Sequence, residues 1–337
     1  MRLSICIPTY NRHDELLRLI NSVEIAVKSL PSTADVEVVV SDNASTDGTE
    51  AAMREAQSRL IYISYSRNEK NQGFAANLNK VIEISSGDYC WLMGSDDVIL
   101  PDALMRVWQH VEHGVSVIVG NPITRSTERK FFLFDEQRDY QFGRTDDFVS
   151  YLSQCREISA AFAFMSTLIV RRDFWNNAQC TQYELMHPYT HMLRIVRGLA
   201  SNGGVVRCLN APVVTTGHAG NEWNTSVLPH FELDLSTILY IESDIFNSSS
   251  PVLLAYGAIF RRQYSNIELL KARVECTMDR WRSMVPFLTA FSYSQLLLKK
   301  TIIDPILLMI YLRIKELRKP QNKPAAGALK TSGKYLR

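Results

Sequence analysis

The feature that most constrains this chain is the alternation of short apolar runs with segments of helical spacing over its first 120 residues. Short apolar runs bounded by turn residues predict buried strands, and apolar residues three or four apart predict helices. Strands are predicted at residues 3–7, 36–40, 60–65, 89–93 and 115–119, and helices after 11, after 50, at 74–84 and at 102–111. This pattern predicts an α/β fold, a mostly parallel, Rossmann-like sheet flanked by helices.

The second half of the chain has a less regular pattern. Strands are predicted at residues 166–170 and 213–216, a helix at 188–199, and several helices beyond Pro229. Residues 320–337 are rich in Pro, Gly, Ala and Lys, which is typical of a disordered segment. The sequence therefore divides into an α/β domain (1–220), a C-terminal helical extension (221–319) and a basic tail (320–337).

Composition and charge exclude several classes of protein. The six cysteines lie far apart and form no C-x-x-C pair, so neither a zinc motif nor a redox motif is indicated. From Gln295 onward the chain carries ten Lys and Arg against two acidic residues, although the net charge of the whole chain is only +2. The rest of the chain is therefore acidic, which argues against nucleic acid as a partner.

Polar segments follow three of the predicted strands. They are Pro-Thr-Tyr-Asn-Arg at 8–12, Ser-Asp-Asn-Ala-Ser-Thr-Asp-Gly-Thr at 41–49 and Gly-Ser-Asp-Asp at 94–97. Because the carboxyl ends of parallel strands meet at one edge of a sheet, these loops should line a common binding cleft. Its side chains would be mainly Asp, Asn, Ser and Thr.

The Asp96-Asp97 pair indicates a metal-dependent site. A carboxylate at a strand end can hold Mg²⁺ or Mn²⁺ while the metal bridges a diphosphate and neutralises charge on a departing nucleotide. Asp42, on the neighbouring loop, can accept hydrogen bonds from the edge of a nucleobase. A bare Asp-Asp pair is more often a solvated turn, but three polar loops at one edge favour the metal site.

Four motifs occur in order within the first 110 residues: S-I-C-I-P-T-Y-N-R, S-D-N-A-S-T-D-G-T, N-x-G-x-A-x-N from Asn71, and W-L-M-G-S-D-D. Together they resemble glycosyltransferase family 2, which has the GT-A fold, and within it the bacterial O-antigen sugar transferases, some of which use nucleotide-linked deoxysugars. The resemblance implies inverting transfer of a sugar from a nucleotide-diphosphate donor to a glycan or lipid-linked acceptor, with Mg²⁺ or Mn²⁺. It also implies that residues 1–120 bind the donor and residues 121–220 the acceptor.

The resemblance assigns roles to individual positions of this chain. Asp42 matches a residue that contacts the base, and Asp96 matches the metal-binding last position of the D-x-D motif. The other positions implied in donor binding are Pro8, Thr9, Arg12, Asn71, Gly73 and Ser95. The chain departs from the pattern at Gly94, where the first Asp of D-x-D is expected, so the site has one negative charge fewer, a loss for which Asp97 can compensate.

A second departure concerns the general base that deprotonates the acceptor hydroxyl. The family supplies it from a Glu-Asp pair at the start of a helix, but here His187-Pro188 stands at that position. The candidates are His187, Glu184 and His191, in that order, with Asp97 as a further one; a histidine suits the task because its pKa lies near neutrality. The spacing of His187 and His191 also fits a zinc site, although no third ligand accompanies them.

Two further segments bear on the substrates. The polar loop at 218–224 resembles the acceptor-side loop of the family, so Trp223 and Asn224 are candidate acceptor-binding residues; aromatic faces stack on sugar rings. Residues 305–318 form a predicted apolar helix of about 21 Å, too short to cross a membrane. It either packs on the catalytic body or lies at the inner leaflet beside the basic tail.

Two alternatives stay open on the sequence. A nucleotidyltransferase that makes nucleotide-sugars shares such a sheet, although it usually opens with a Gly-rich loop. A non-catalytic glycan-binding relative would explain both departures from the family's motifs.

The N-terminus lacks a signal peptide, and no apolar stretch approaches the roughly 18–20 residues that a membrane-spanning helix needs. A cytoplasmic protein, peripheral to the membrane if its tail binds there, is therefore expected.

Overall fold

A computed structural model describes residues 1–111, 114–124, 127–216, 228–248, 250–264, 268–269, 272 and 275–291. Its centre is one sheet with the strand order β3-β2-β1-β4-β9-β6-β10-β5, to which β7 and β8 are added through β6 and β10. The strands are β1 (Arg2–Thr9), β2 (Asp35–Asp42), β3 (Ile63–Arg67), β4 (Tyr89–Leu92), β5 (Val98–Ile99), β6 (Val115–Thr124), β7 (Thr127–Glu128), β8 (Arg138–Phe142), β9 (Leu168–Arg171) and β10 (Gly204–Thr215).

Helices cover both faces of this sheet. They are α1 (His13–Val27), α2 (Thr49–Arg59), α3 (Phe74–Ile84), α4 (Ala103–Trp108), α5 (Thr145–Gln154), α6 (Arg172–Asn177), α7 (Gln182–Met186), α8 (Thr190–Asn202), α9 (Leu228–Tyr240), α10 (Ser250–Gln263) and α11 (Met278–Ala290). The predicted helix at 74–84 is confirmed residue for residue. Within the described residues, no helix combines the length and the apolarity that a membrane span requires.

The side chains of β1 alternate between the two faces of the sheet, and each face has its own buried apolar core. Leu3, Ile5 and Ile7 lie in one buried cluster with residues of α1, whereas Cys6 lies in the other with residues of α3. Successive side chains of a strand point to opposite faces, so a central strand must be apolar on both. The second cluster also takes in buried residues of α9, α10 and α11, so the described C-terminal helices share a core with the sheet.

The mostly parallel sheet that the sequence predicts is confirmed, and antiparallel strands are added to it. Strands β1 to β4 pair in parallel, as do β6 and β10. Strand β9, however, lies between β4 and β6 and is antiparallel to both. Between β6 and β9 the chain passes through β7, β8 and α5, whereas a parallel return usually follows a single crossover helix.

A crevice opens where the strand order reverses. β1 lies between β2 and β4; its pairing with β2 continues to Thr9, opposite Asp42, but its pairing with β4 stops at Cys6, opposite Leu92. Beyond Cys6 the loops after β1 and β4 separate at the carboxyl edge. In open α/β sheets, ligands bind in such a crevice at the switch point, so the polar loops predicted from the sequence meet at the expected place.

Candidate active site

Two buried asparagines build the floor of the crevice. The amide nitrogen of Asn77, on α3, donates to the carbonyl oxygens of Ser41 (2.8 Å) and Thr9 (3.3 Å), and its oxygen accepts from the hydroxyl of Ser41 at 2.7 Å. Asn43 donates to Oδ1 of Asn71 at 2.7 Å. Asn77 thus ties the ends of β1 and β2 to α3, and Asn43 ties the end of β2 to the loop before α3. Asn71 and Asn77 are the two asparagines of the N-x-G-x-A-x-N motif.

Asn71 and Gly73 shape the loop that precedes α3. Oδ1 of Asn71 accepts from the backbone N–H of Gly73 at 2.9 Å, and Gly73 has φ of 85°. That left-handed conformation favours glycine because a β-carbon would be strained there. Both residues are exposed at the edge of the crevice, and their described contacts give them a role in the shape of the loop.

Asp42 is fully buried, and both of its carboxylate oxygens accept hydrogen bonds. Oδ1 accepts from the backbone N–H of Ser45 at 2.9 Å and from its hydroxyl at 2.5 Å, while Oδ2 accepts from the hydroxyl of Tyr65 at 2.6 Å. Arg67 approaches the same oxygen to 3.7 Å. Asp42 therefore holds the loop together in this conformation, and it does not present a free oxygen to a nucleobase.

Tyr65 and Arg67 are site residues that the sequence reasoning missed. They lie at the end of β3, where Arg67 pairs in register with Asp42, and the guanidinium donates to the carbonyl of Ser45 at 3.0 Å. Burial raises the pKa of Tyr65, and the hydrogen bond to Asp42 adds to the rise. The available signal was topological, because the third strand of a parallel sheet ends at the same edge as its neighbours.

The acidic turn, residues 94–97, follows β4 on the other side of the crevice. Ser95 and Asp97 are buried, whereas the side chain of Asp96 is 27% exposed. The backbone N–H of Asp97 donates to the carbonyl of Gly94 at 3.2 Å, which closes the turn. Asp97 also accepts a hydrogen bond from the hydroxyl of Ser166. Asp96 is therefore the carboxylate of this turn that faces the solvent of the crevice.

The loop after β1 brings a positive charge to the same place. Pro8 and Thr9 are buried at the end of β1, and the buried hydroxyl oxygen of Thr9 has no hydrogen-bond partner among the described residues. Arg12 Nη1 lies 3.5 Å from Oδ2 of Asp96. A guanidinium and a partly exposed carboxylate thus face each other across the switch point.

The donor set fits a divalent cation that is held largely by its substrate. Among the residues that the structure describes, no group of three or more His, Cys, Asp and Glu side chains is placed to hold a metal. Mg²⁺ does not require such a cage, because it is usually bound through one or two carboxylates together with water and substrate phosphates. Asp96 meets that requirement.

Glu184 is committed to the fold. It is fully buried at α7, where Oε2 accepts from the backbone N–H of Thr181 at 2.7 Å in a capping box. Its other oxygen accepts two hydrogen bonds from Arg197, at 2.9 and 2.6 Å. A carboxylate with both oxygens engaged in this way stabilises the entry to α8 and is poorly suited to take a proton from an acceptor.

His187 lies just before α8 and is 6% exposed. Its Nδ1 accepts a hydrogen bond from the backbone N–H of Tyr189 at 3.0 Å, so the neutral ring carries its proton on Nε2. Burial lowers the pKa of His187, which keeps the ring neutral. In this state the outward nitrogen is a donor, and the geometry disfavours His187 as the general base.

His191 lies deeper in α8. Its Nε2 is 2.9 Å from the carbonyl of Ala163 and must donate there, because a carbonyl only accepts. The remaining nitrogen, Nδ1, is buried and has no partner among the described residues. Burial lowers the pKa of His191 to about 4. This ring is a neutral part of the core, and its described contacts are those of a packed residue.

Trp223 and Asn224, in the predicted acceptor loop, lie outside the residues that the structure describes. The same holds for the predicted apolar helix at 305–318 and for the basic tail at 320–337. Their proposed roles therefore still rest on the sequence.

Comparison with known proteins gives a consistent family. Residues 4–175 match the family described as glycosyl transferase family 2. The chain is 30% identical over 223 residues to abequosyltransferase RfbV of Salmonella typhimurium, across 64% of this chain and 66% of that protein. It is 31% identical over 123 residues to the GalNAc(5)-diNAcBac-PP-undecaprenol beta-1,3-glucosyltransferase of Campylobacter jejuni, across 36% of this chain and 38% of that protein. The chain thus spans less than two thirds of either relative.

Solved structures agree on the fold. The structure of S. aureus TarS 1-349 in complex with UDP-GlcNAc matches with a TM-score of 0.64 at 16% identity, over 95% of this chain and 93% of that one. The mannosyltransferase PcManGT from Pyrobaculum calidifontis, in complex with GDP-Man and Mn2+, matches with a TM-score of 0.50 at 16% identity, over 95% and 88%. At these identities the likeness establishes the predicted GT-A architecture. Because the family match extends over half of the chain and takes in β1 to α6 with all the crevice loops, the chain belongs to glycosyl transferase family 2.

Proposed function

We propose that this protein transfers a sugar, with inversion, from a nucleotide-diphosphate donor to a glycan or lipid-linked acceptor in surface polysaccharide assembly. The observation that carries the proposal is the pairing of Arg12 with Asp96 at the mouth of the switch-point crevice. One side chain matches the charge of a diphosphate, and the other matches the charge of the cation that accompanies it. The family and both named relatives support the same reaction class.

In this reading, the donor lies across the carboxyl edge of the sheet. The base and ribose would occupy the side of β2 and β3, where Arg67 and the loop held by Asp42 lie. The diphosphate would lie between Arg12 and Asp96. Asp96 would hold Mg²⁺ or Mn²⁺, which when bound neutralises the charge of the departing diphosphate. PcManGT, solved with GDP-Man and Mn2+, supports this metal class.

The transfer step is a single displacement. The acceptor hydroxyl attacks the anomeric carbon from the face opposite the diphosphate, the bond from that carbon to the diphosphate oxygen breaks, and the hydroxyl proton passes to a carboxylate or imidazole of the protein. Inversion follows because one displacement exchanges the two faces. Arg12 would bind the released nucleoside diphosphate until it leaves.

We propose Asp97 as the proton acceptor among the four candidates. Glu184 and His191 have their polar atoms engaged in the fold or fully buried, and neutral His187 presents a donor. Asp97 keeps a carboxylate beside Asp96 at the crevice, with a hydrogen bond from Ser166 to one oxygen. Its place next to Asp96, the proposed metal ligand, is what favours Asp97 over the other three candidates.

The relatives support a lipid-linked acceptor and a nucleotide-sugar donor. The Campylobacter relative is named for an acceptor carried on PP-undecaprenol, and TarS was solved with UDP-GlcNAc. A lipid-linked acceptor and a uridine-, cytidine-, guanosine- or thymidine-diphosphate sugar are the substrate classes to test. Trp223 and Asn224 are proposed to contact the acceptor glycan.

The decisive experiment is metal-dependent nucleotide binding. UDP, CDP, GDP and dTDP are screened by thermal shift with Mn²⁺ and with EDTA; at a hundred times its Kd a ligand should add about 2.7 kcal/mol of stability. Asp96→Asn should abolish the Mn²⁺-dependent part, whereas Asp279→Asn, a 96% exposed carboxylate on α11, should leave it intact. Absence of any Mn²⁺-dependent shift in the unaltered protein would overturn the proposal, and pyrophosphate release from a nucleoside triphosphate and a sugar phosphate would favour a nucleotidyltransferase.

A further inference from the structure

Ser166 joins the two ends of the acidic turn, although it lies 69 residues from Asp97 along the chain. Its hydroxyl oxygen accepts from the backbone N–H of Gly94 at 2.9 Å and donates its hydrogen to Oδ2 of Asp97. Ser166 is 1% exposed, so neither bond competes with bulk water. One buried hydroxyl therefore hydrogen-bonds both the first and the last residue of the acidic turn, Gly94 and Asp97. We call these two hydrogen bonds the clamp.

The position of Ser166 is itself fixed from the sheet. Its carbonyl accepts from the indole N–H of Trp91, on β4, at 2.9 Å. Ser166 belongs to a 3₁₀ turn, Met165–Thr167, that leads directly into β9, and β9 pairs with β4 through Leu92 and Leu168. The antiparallel pairing of β9 with β4 thus places the Ser166 hydroxyl next to the acidic turn.

Gly94 leaves the room that this arrangement uses. A β-carbon at position 94 would lie 3.1 Å from Oδ2 of Asp97, 3.1 Å from Oγ of Ser166 and 3.2 Å from Oδ1 of Asp96. Each distance is shorter than an ordinary contact between carbon and oxygen. The chain therefore holds two carboxylates and a hydroxyl around the place where the D-x-D motif would have its first aspartate.

We propose that Ser166 is a positioning residue for the proposed transferase: it holds residues 94–97 in the geometry from which Asp96 would hold the metal ion that accompanies the donor diphosphate. The inference rests on the proposed function. Groups that hydrogen-bond the ligands of a metal, without touching it, typically change metal affinity or activity by about tenfold to a hundredfold when they are removed. Ser166 bonds Gly94 and Asp97, on either side of the proposed ligand Asp96, so it would act on the metal site through the conformation of the turn.

A hydroxyl is required because the clamp needs a donor and an acceptor on one atom. Ser166→Ala removes both, so the N–H of Gly94 and Oδ2 of Asp97 each lose the hydrogen bond that Ser166 supplies. Ser166→Thr retains the hydroxyl and should restore the clamp. Gly94→Ala approaches the same turn differently, since it keeps Ser166 but presses a methyl group against the three oxygens.

The test compares nucleoside diphosphate affinity with Mn²⁺ and with EDTA, by calorimetry, using the nucleotide that the unaltered protein prefers among UDP, CDP, GDP and dTDP. Ser166→Ala should weaken Mn²⁺-dependent binding about tenfold or more and leave binding in EDTA unchanged, and Ser166→Thr should recover most of the loss. Ser85→Ala is the matched control: its buried hydroxyl also bridges two groups, Ile82 and Arg172, but away from the crevice.

The outcomes separate this inference from the function on which it rests. If the unaltered protein binds with Mn²⁺ and Ser166→Ala binds equally well, or loses affinity equally in EDTA, the positioning role is overturned and the function stands. If the unaltered protein shows no Mn²⁺-dependent binding, both are overturned. If Ser166→Ala does not fold, Gly94→Ala decides: reduced Mn²⁺-dependent affinity supports the clamp, and unchanged affinity overturns it.

Discussion

The guanidinium of Arg12 and the carboxylate of Asp96 lie 3.5 Å apart across the switch point, and their side chains are 30% and 27% exposed. A partly exposed pair of this kind contributes only about 0–1 kcal/mol to stability, because water screens both charges. It can therefore open at little cost. The arrangement is suited to exchange, with a phosphate replacing Asp96 at Arg12 and a cation replacing Arg12 at Asp96.

Arg12→Ala should weaken binding of the nucleoside diphosphate about tenfold to a hundredfold, since a charged hydrogen bond contributes about 1.5–3 kcal/mol. Titration calorimetry with the preferred nucleotide and Mn²⁺ measures the change. Arg18→Ala is the control, because Arg18 lies on the adjoining helix and pairs only at the surface with Glu15 among its described contacts. Unchanged affinity in Arg12→Ala would remove Arg12 from the diphosphate site.

Asp42→Asn should destabilise the fold as well as the site. Asp42 is fully buried and accepts from Ser45 and Tyr65, so loss of its charge should lower the free energy of unfolding by about 3 kcal/mol. Urea denaturation measures the loss, and Asp35→Asn, an exposed carboxylate at the start of the same strand, should have almost no effect. Wild-type stability with a raised donor KM would instead indicate direct contact with the base.

Two variants, Asp97→Asn and His187→Gln, distinguish the candidate proton acceptors. Asp97→Asn should lower kcat by about a hundredfold or more, the usual contribution of general-base catalysis. His187→Gln should stay within tenfold of wild type with an unchanged pH profile, because Nδ1 already accepts from Tyr189 and burial lowers the pKa of the ring. Steady-state kinetics at several pH values decide between them. If His187→Gln loses the rise of kcat/KM with pH and Asp97→Asn does not, His187 is the proton acceptor.

Stability should fall as pH rises through the titration of Asp234. This buried residue accepts from Tyr189, Gln263 and Tyr264, and burial raises its pKa to about 6. Because the folded pKa exceeds that of the unfolded chain, the folded state binds the proton more tightly, so this contribution to stability is present below the unfolded value near 4 and is lost as pH rises through about 6. Its size is about 3 kcal/mol.

Urea unfolding at pH 4.5 and pH 7 tests this dependence. The unaltered protein should lose stability between the two values relative to Asp234→Asn, which has no carboxyl group to titrate at that position. The comparison isolates Asp234 from the other acidic groups, because they are common to both proteins. Equal changes in the two proteins would show that Asp234 does not titrate in this range.

The basic tail should bring the protein to anionic membranes. Each Lys or Arg near such a surface contributes about 1 kcal/mol, and salt weakens the attraction. Flotation with anionic liposomes should therefore recover the full chain at low salt and release it at high salt. Truncation after Lys319 should reduce recovery. If neither protein floats at low salt, the predicted apolar helix at 305–318 and the tail have another role.

The sequence by itself determined the elements around the crevice. The order of apolar runs predicted β1, β2 and β4, and the segments after them carried the polar residues that the structure brings together. The physical reason is that strand and helix periodicities are local, and in a parallel sheet the carboxyl ends must share an edge. That Asp96 and Arg12 lie near each other could therefore be expected without coordinates.

Tertiary structure alone decided which polar side chains are exposed in the crevice. Asp42 and Asp96 look equivalent in the sequence, each following a buried strand, yet Asp42 is enclosed by Tyr65 and Ser45 while Asp96 is open to the crevice. The same holds for the histidines, whose usable lone pairs depend on a backbone N–H from Tyr189 and a carbonyl from Ala163. Ser166 reaches the acidic turn only because β9 runs antiparallel to β4. Burial and hydrogen bonding between distant segments are properties of the assembled fold, and local periodicity carries no information about them.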